Sequence, residues 1–424
     1  MIWEKVKAVN GEWTVAITND KGKYLLHSKY DPSKESRRWV AQWEMMNEKP
    51  SRICVIGIGV GYHIAALREE FPNIPIVVME FNPNYVSWLR GNHLLQWLED
   101  ERTSIKISND INEISKDFLP LLDEIDTMVM IHSPSLELIP NNLSSLKERL
   151  SDFYTFLKTV RKNKEILEQN FANNLKLNDK GILEWKDYLK GKSAILVSAG
   201  PSLTKQLPLL KEVYKKREIF IACVGTALIP LLNFGIKPNA IMISDAQDTL
   251  LEQFKGTSNI IDVPLFYLAT ANQKAVSGYT GKRYIVWQQD YSNSRIQADL
   301  IKEPTIRTGG SVATCLLDLL VWMGSSRVAL VGQDLSFTGG YSHAVGSHNV
   351  KKVNYENLIE VTDYYQREKV KTKSFLLGYL RWFERYVIDT SSNAEFWNCT
   401  EGGAYIEGWK HKRLKEFIEE KKGD

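Results

Sequence analysis

The stretch RVALVGQDLSFTGGYSHA, Arg327–Ala344, decides the fold class. After Arg327, Val328–Val331 form an apolar run, as expected of a strand buried on both faces. Gly332 breaks the run. Gln333, Asp334, Tyr341, Ser342 and His343 then follow on a glycine-bearing loop. Strands buried on both faces belong to parallel sheets flanked by helices, and ligands bind where the chain leaves their carboxyl ends.

Outward from this stretch, similar runs recur at Ala194–Val197, Ile219–Val224, Ala240–Ser244, Leu265–Leu268 and Tyr284–Trp287, with helical patterns between most of them. They predict a doubly wound α/β unit. A smaller one precedes it: a strand at Ile53–Ile56, the run Gly57-Ile58-Gly59-Val60-Gly61, a helix, and a strand at Ile76–Met79, with Met128–Ile131 continuing the pattern. The expected organisation is an N-terminal β-hairpin region (1–35), an accessory Rossmann-like domain (36–140), a helical connector (141–190), a catalytic core (191–345) and a helical C-terminal cap (346–424). A helix is expected over Ser36–Asn47.

The chain has 424 residues, more than one hydrophobic core usually serves. Its 54 Lys and Arg against 51 Asp and Glu give a net charge of +3, too balanced for a nucleic-acid footprint. Cys54, Cys223, Cys315 and Cys399 are far apart in sequence, so neither a CxxC zinc site nor a disulfide framework is expected. No leader-like apolar run opens the chain and no stretch approaches the ~20 apolar residues of a membrane helix, so a cytoplasmic protein without membrane contact is expected. Oligomeric state is not readable.

Several loops carry candidate chemistry. Ser198-Ala199-Gly200-Pro201-Ser202 follows a strand and opens a helix, which suits a phosphate or is a plain turn. Asp245, Gln247 and Asp248 crowd another strand end, where they could bond sugar hydroxyls, hold a metal, or simply be solvated. Thr308-Gly309-Gly310-Ser311 opens a further helix, and Thr226 stands at the start of another. In the first unit, Glu80 lies 19 residues after Gly61, as an acid bonding ribose would, although a lone glycine turn also serves tight packing. His343 and His348 share no helical face, and His63 and His132 read as core or loop histidines, so zinc is not expected.

Taken in order, SAGPSL, GIKPNAIMISDAQD, TGGSVA, VALVGQDLSFTGGYSHA and EGGAYIEGW (Glu401–Trp409) resemble the motility-associated factor (Maf) family, whose core is shared with 6-hydroxymethylpterin diphosphokinase-like proteins. LHSKYDPSKE and the GIGVG unit look like that family's accessory Rossmann-like domain. The resemblance implies a sialyltransferase-like core that transfers pseudaminic or legionaminic acid from its CMP-activated form to Ser/Thr hydroxyls of flagellin. It needs no cofactor beyond the donor, a divalent metal being optional. Under it, Gly200, Pro201, Ser202, Thr226 and Thr308–Ser311 hold the nucleotide or the sugar carboxylate. Asp245, Gln247 and Asp248 line the pocket, Gln333 and Asp334 face them, and His343, Asp334 and Asp245 carry the catalysis. Ser202, Asp245, Ser311 and Asp334 must then share one open cleft. Rival readings are a pterin diphosphokinase, for which no GxxxxGK[ST] loop is present, a methyltransferase using S-adenosylmethionine at GIGVG, and a non-catalytic flagellin-binding protein.

Overall fold

A computed structural model of the chain describes residues 1–20, 22–42, 50–95, 102–122, 127–257, 260–347, 350–352 and 358–420, with residues 119, 122, 160 and 161 described by backbone alone. His348 and the end of the expected 36–47 helix lie outside the described residues. Two compact units divide the chain at Thr159–Val160.

The first unit opens with an antiparallel sheet of β1 (Ile2–Lys7), β2 (Trp13–Asn19) and β3 (Gly22–Leu25). Helix α1 (Pro32–Ala41) starts earlier than expected, because Pro32 fits the first turn and the Asp31 carboxylate caps the Lys34 amide. A parallel sheet of order β6-β5-β4-β7 follows, built from β4 (Arg52–Ile56), β5 (Ile76–Glu80), β6 (Thr103–Ile107) and β7 (Thr127–Ile131). Helices α2 (Tyr62–Glu70), α3 (Pro83–Gly91) and the short α4 (Ile111–Glu113) lie between its strands. Alternation along β4 sends Ile53 and Val55 into one core and Cys54 and Ile56 into the other, so both faces are covered.

Helix α5 (Ser144–Lys162) runs across the division between the units, and α6 (Lys164–Leu175) opens the second. The expected connector is therefore helical over 144–175, but its later part is built into the second unit. Buried Asn170 and Asn174 of α6 donate to the carbonyls of Ala246, Ala269, Thr270 and Ala271, and Asp179 holds Arg283 in an ion pair. Helical periodicity cannot reveal such bonds, since they join residues about 70–100 positions apart.

The second unit is a nine-stranded parallel sheet of order β13-β12-β11-β10-β9-β8-β14-β17-β18. Its strands are β8 (Ser193–Val197), β9 (Phe220–Val224), β10 (Ala240–Ile243), β11 (Leu265–Leu268), β12 (Arg283–Gln288), β13 (Thr305–Ile306), β14 (Arg327–Val331), β17 (Glu395–Asn398) and β18 (Lys410–His411); β15 (Ile359–Thr362) and β16 (Lys369–Thr372) form a separate hairpin. The helices are α7 (Leu203–Lys216), α8 (Gly225–Asn233), α9 (Gln273–Gly278), α10 (Ser292–Ile301), α11 (Val312–Trp322), α12 (Ser374–Asp389) and α13 (Leu414–Glu419). Six strands fall within a residue or two of the sequence reading.

The helical cap expected over 346–424 needs correction. That segment contains α12 and α13, but it also adds β17 and β18 to the sheet beside β14. Strands of four and two residues are too short to show a period, and pairing with β14 makes them strands. Among the described residues, no helix is long and apolar enough to cross a membrane.

Candidate functional site

The chain winds outward from β8 to β13 and then returns to lay β14 on the other side of β8. The crevice between the β8 and β14 ends is thus the switch point, where open α/β sheets bind ligands. Here the protein fills it with its own carboxylate. Asp334 is 2% exposed. It accepts the Ser202 hydroxyl at 2.6 Å, the Ser202 amide at 3.2 Å and the Thr338 hydroxyl at 2.7 Å. The start of α7, expected to receive a phosphate, is occupied by this internal anion.

The fit is tight on every side. A Cβ on Gly200 would lie 2.1 Å from Asp334 Oδ2, and one on Gly403 would lie 2.1 Å from the Asp334 carbonyl oxygen. Buried Leu335 adopts a left-handed φ of 53°, a strained choice for a bulky residue. Gln333 turns inward as well, its side-chain carbonyl accepting the Ser198 hydroxyl while its main-chain N–H donates to the Thr400 hydroxyl. Asp334, Gln333, Ser202 and Gly200 therefore brace the loops and do not line a cleft. Burial raises the Asp334 carboxyl above the ordinary range against the pull of the Ser202 and Thr338 bonds. His343, half-buried beside this plug, bonds through Nδ1 with Ser342 at 3.1 Å, and its loop is docked by the Ala344 amide on the Ala199 carbonyl.

The Thr308–Ser311 opening is partly self-satisfied. Thr314 Oγ1 accepts the Gly309 and Ser311 amides, while Ser311 caps the Ala313 amide. Trp382 of α12 packs on Gly309, where a Cβ would meet its ring at 2.5 Å, and Tyr379 lies over Gly310. The α8 start at Gly225–Thr226 differs, since no side chain caps it. Gln247 bonds to Asn163 and Asp248 to Asn272 and Lys274, so both brace their loop from its exposed side.

What stays open lies at the ends of β10 to β13, about two strand spacings or ~10 Å across from β10 to β12. Asp245 is exposed at the end of β10. At the end of β12, buried Gln288 donates to Thr270 at 2.8 Å, but its Oε1 has no partner. Two residues on, Asp290 is exposed and takes the Thr308 hydroxyl. Protein surrounds Asp290 beneath that open side, and this desolvation raises its carboxyl despite the Thr308 bond. Burial, helped by the Asp245 charge, pushes the Tyr379 phenol up to about 12, which keeps it a proton donor. Asp290, Thr308, Gly310, Tyr379 and Asp245 thus mark one polar cleft with α12 along its side. Sequence reading supplied Asp245 and Thr308–Ser311. It missed Gln288, Asp290 and Tyr379: the dipeptide Gln289-Asp290 after a strand was a usable signal, whereas Tyr379 reaches the cleft only through the packing of α12.

Two recesses among the described residues lie elsewhere. One, about 280 Å³, lies at the amino edge beside Arg217 and Lys237. A wider groove of about 610 Å³, at the carboxyl ends of β17 and β18, is lined by Tyr364, Tyr365, Tyr405, His411 and Arg413. Neither contains the residues of the polar cleft.

Four amides of the first unit's glycine loop are bonded within the protein. Gly57 N–H donates to the Met79 carbonyl, Ile58 to Glu80, Gly59 to Ser135 and Val60 to His27. Glu80, the expected ribose ligand, is 1% exposed and also accepts the Phe81 and Asn82 amides. These bonds take four amides and the Glu80 carboxylate away from an S-adenosylmethionine site, while the α2 start at Gly61 carries no side-chain cap.

Residues 169–340 match the family described as 6-hydroxymethylpterin diphosphokinase MptE-like. No curated protein sequence matches significantly. Among solved structures, the fold is similar to that of a Maf glycosyltransferase from Magnetospirillum magneticum AMB-1, with a TM-score of 0.54 and 13% identity over 99% of this chain and 71% of the other. The central segment is thus similar to the MptE-like family, and the fold of the chain is similar to that of a Maf glycosyltransferase.

Proposed function

We propose that this protein is a glycosyltransferase that moves a nonulosonic acid, pseudaminic or legionaminic, from its CMP-activated form to Ser/Thr hydroxyls of flagellin in the cytoplasm. The observation that carries the reading is the polar cleft at the β10–β13 ends, within a fold like that of a Maf glycosyltransferase. An anionic sugar leaving CMP passes through an oxocarbenium-like state, with positive charge growing on the anomeric carbon and negative charge on the phosphate. Tyr379, a protonated phenol, and the uncapped amides at Thr226 suit the phosphate. Asp245 lies where a carboxylate can face the growing positive charge. Asp290 takes the role of general base first given to His343, because it stands in the open cleft with a raised carboxyl. His343 instead lies on the loop after β14, which the Ala344 amide docks on the Ala199 carbonyl at the β8–β14 side of the sheet. The CMP-activated donor is the one addition this chemistry requires, a divalent metal being optional.

Mass spectrometry of flagellin incubated with CMP-nonulosonate and the purified chain tests this directly. A sugar-sized increment on Ser/Thr supports transfer. Absence of the increment, together with ATP-dependent diphosphorylation of a hydroxymethylpterin, replaces the reading with the activity for which the MptE-like family is named.

A further inference from the structure

The parallel sheet of the first unit has its own switch point, between β4 and β7, where the winding from β4 to β6 gives way to β7 on the other side. In place of a ligand cavity it holds three imidazoles. His27 follows β3, His63 lies in the first turn of α2, and His132 leaves β7; they are 3%, 1% and 5% exposed. Each offers a ring nitrogen within 4.8 Å of the others. The glycine loop is shaped around them: at Gly59, with φ of 54°, a Cβ would lie 2.7 Å from His27 Nε2 and 3.1 Å from Cε1 of both His63 and His132.

Each ring has one nitrogen turned toward an acceptor. His63 Nε2 lies 3.0 Å from the Gly57 carbonyl and must donate to it, which leaves a lone pair on Nδ1, and that buried atom has no partner. His132 bonds the Leu26 carbonyl, and since its Nδ1 lies 2.7 Å from the Ser135 hydroxyl, the donor is Nε2. His27 directs Nδ1 at the Glu35 carboxylate, 3.6 Å away, and keeps Nε2 as an acceptor for the Val60 amide. Acceptors behind the N–H groups and lone pairs on the opposite nitrogens are how proteins hold metal-binding histidines.

We propose that His27, His63 and His132 form a site for a divalent transition metal of the zinc class, which clamps the segment after β3, helix α2 and the loop after β7 together. Three neutral imidazoles without a thiolate favour Zn²⁺, Ni²⁺ or Cu²⁺ over Mg²⁺ and Ca²⁺. His63 and His132 now lie face to face, 4.2 Å apart at 10°, so their in-plane lone pairs do not yet converge. Coordination at about 2.0–2.1 Å turns the His132 and His27 rings about their Cβ–Cγ bonds and releases the Ser135 donor from His132 and the Val60 donor from His27. Water completes a tetrahedral shell.

The test uses the full chain without an affinity tag, stripped with EDTA, incubated with Zn²⁺ in excess Mg²⁺ and desalted before elemental mass spectrometry. The expected result is about one zinc per chain, as for a closed structural site. His63→Gln keeps a side-chain N–H for the Gly57 carbonyl but loses Nδ1; it is expected to bind zinc at least about tenfold more weakly while melting like the parent in EDTA. Retention of less than about 0.1 zinc per chain, or equal binding by H63Q, overturns the proposal. Should H63Q not fold, the imidazole ¹⁵N resonances of the parent decide: shifts of His63 Nδ1 and the two partner rings on adding Zn²⁺ support the site, and unchanged resonances overturn it.

Discussion

Replacing Asp334 by Ala separates the scaffold assignment of this residue from a catalytic one. The change strips the Ser202 amide, the Ser202 hydroxyl and the Thr338 hydroxyl of their common acceptor inside a closed crevice. Three bonds to a charged acceptor at about 1.5–3 kcal/mol each are worth roughly 5–9 kcal/mol gross. Removing the desolvated carboxylate returns several kcal/mol, because burial already raises its carboxyl. The net expectation is a loss of about 2–4 kcal/mol. At about 2–4 °C per kcal/mol for a unit of this size, the second unit should melt roughly 5–15 °C lower. Calorimetry or urea titration gives the magnitude, and hydrogen exchange at the Ser202 amide places the damage. A variant that melts within about 1 kcal/mol of the parent yet loses transfer refutes the reasoning, since Asp334 would then act on substrate.

Asp290→Asn should lower kcat for transfer by about 10²-fold or more with CMP affinity kept, and the parent rate should rise with pH through the raised Asp290 carboxyl; a pH-independent rate or an unaffected variant removes Asp290 from the chemistry. Tyr379→Phe should weaken donor turnover by about tenfold, read by release of CMP, with little change in melting. Gly403→Ala should destabilise the second unit by about 2–4 kcal/mol in urea, because its Cβ meets main chain and its φ of 79° is left-handed. In metal-free buffer the first unit should lose stability on acidification. His63 is held down to about 3 and His132 well below its ordinary range, both by burial, so the unfolded state gains their protons below about 6.5, while Glu80, raised by burial to about 7, works the other way between 4.5 and 7. Two groups against one give about 1.4 kcal/mol lost per pH unit from 6.5 to 4.5, and more below that; hydrogen exchange at the Gly59 and Val60 amides reads it, and a flat profile contradicts it.

The sequence by itself determined the parts of this protein whose cause is local. Buried strands such as Val328–Val331 and Ala194–Val197 announced themselves because a strand covered on both faces is apolar along its length, and the glycine turns after them marked the carboxyl edge of each sheet, where open α/β sheets bind ligands. Asp245 and Thr308–Ser311 were found for the same reason. Tertiary structure decided everything that depends on who meets whom. Asp334 and Glu80 look like ligand-binding acids at strand ends, yet each is consumed by amides and hydroxyls of its own fold, because a buried carboxylate takes the nearest donors. Short β17 and β18 are strands only because β14 lies beside them. Tyr379, Asp290, His27, His63 and His132 acquire meaning from neighbours tens or hundreds of positions away, and no spacing along a chain encodes a contact that only packing creates.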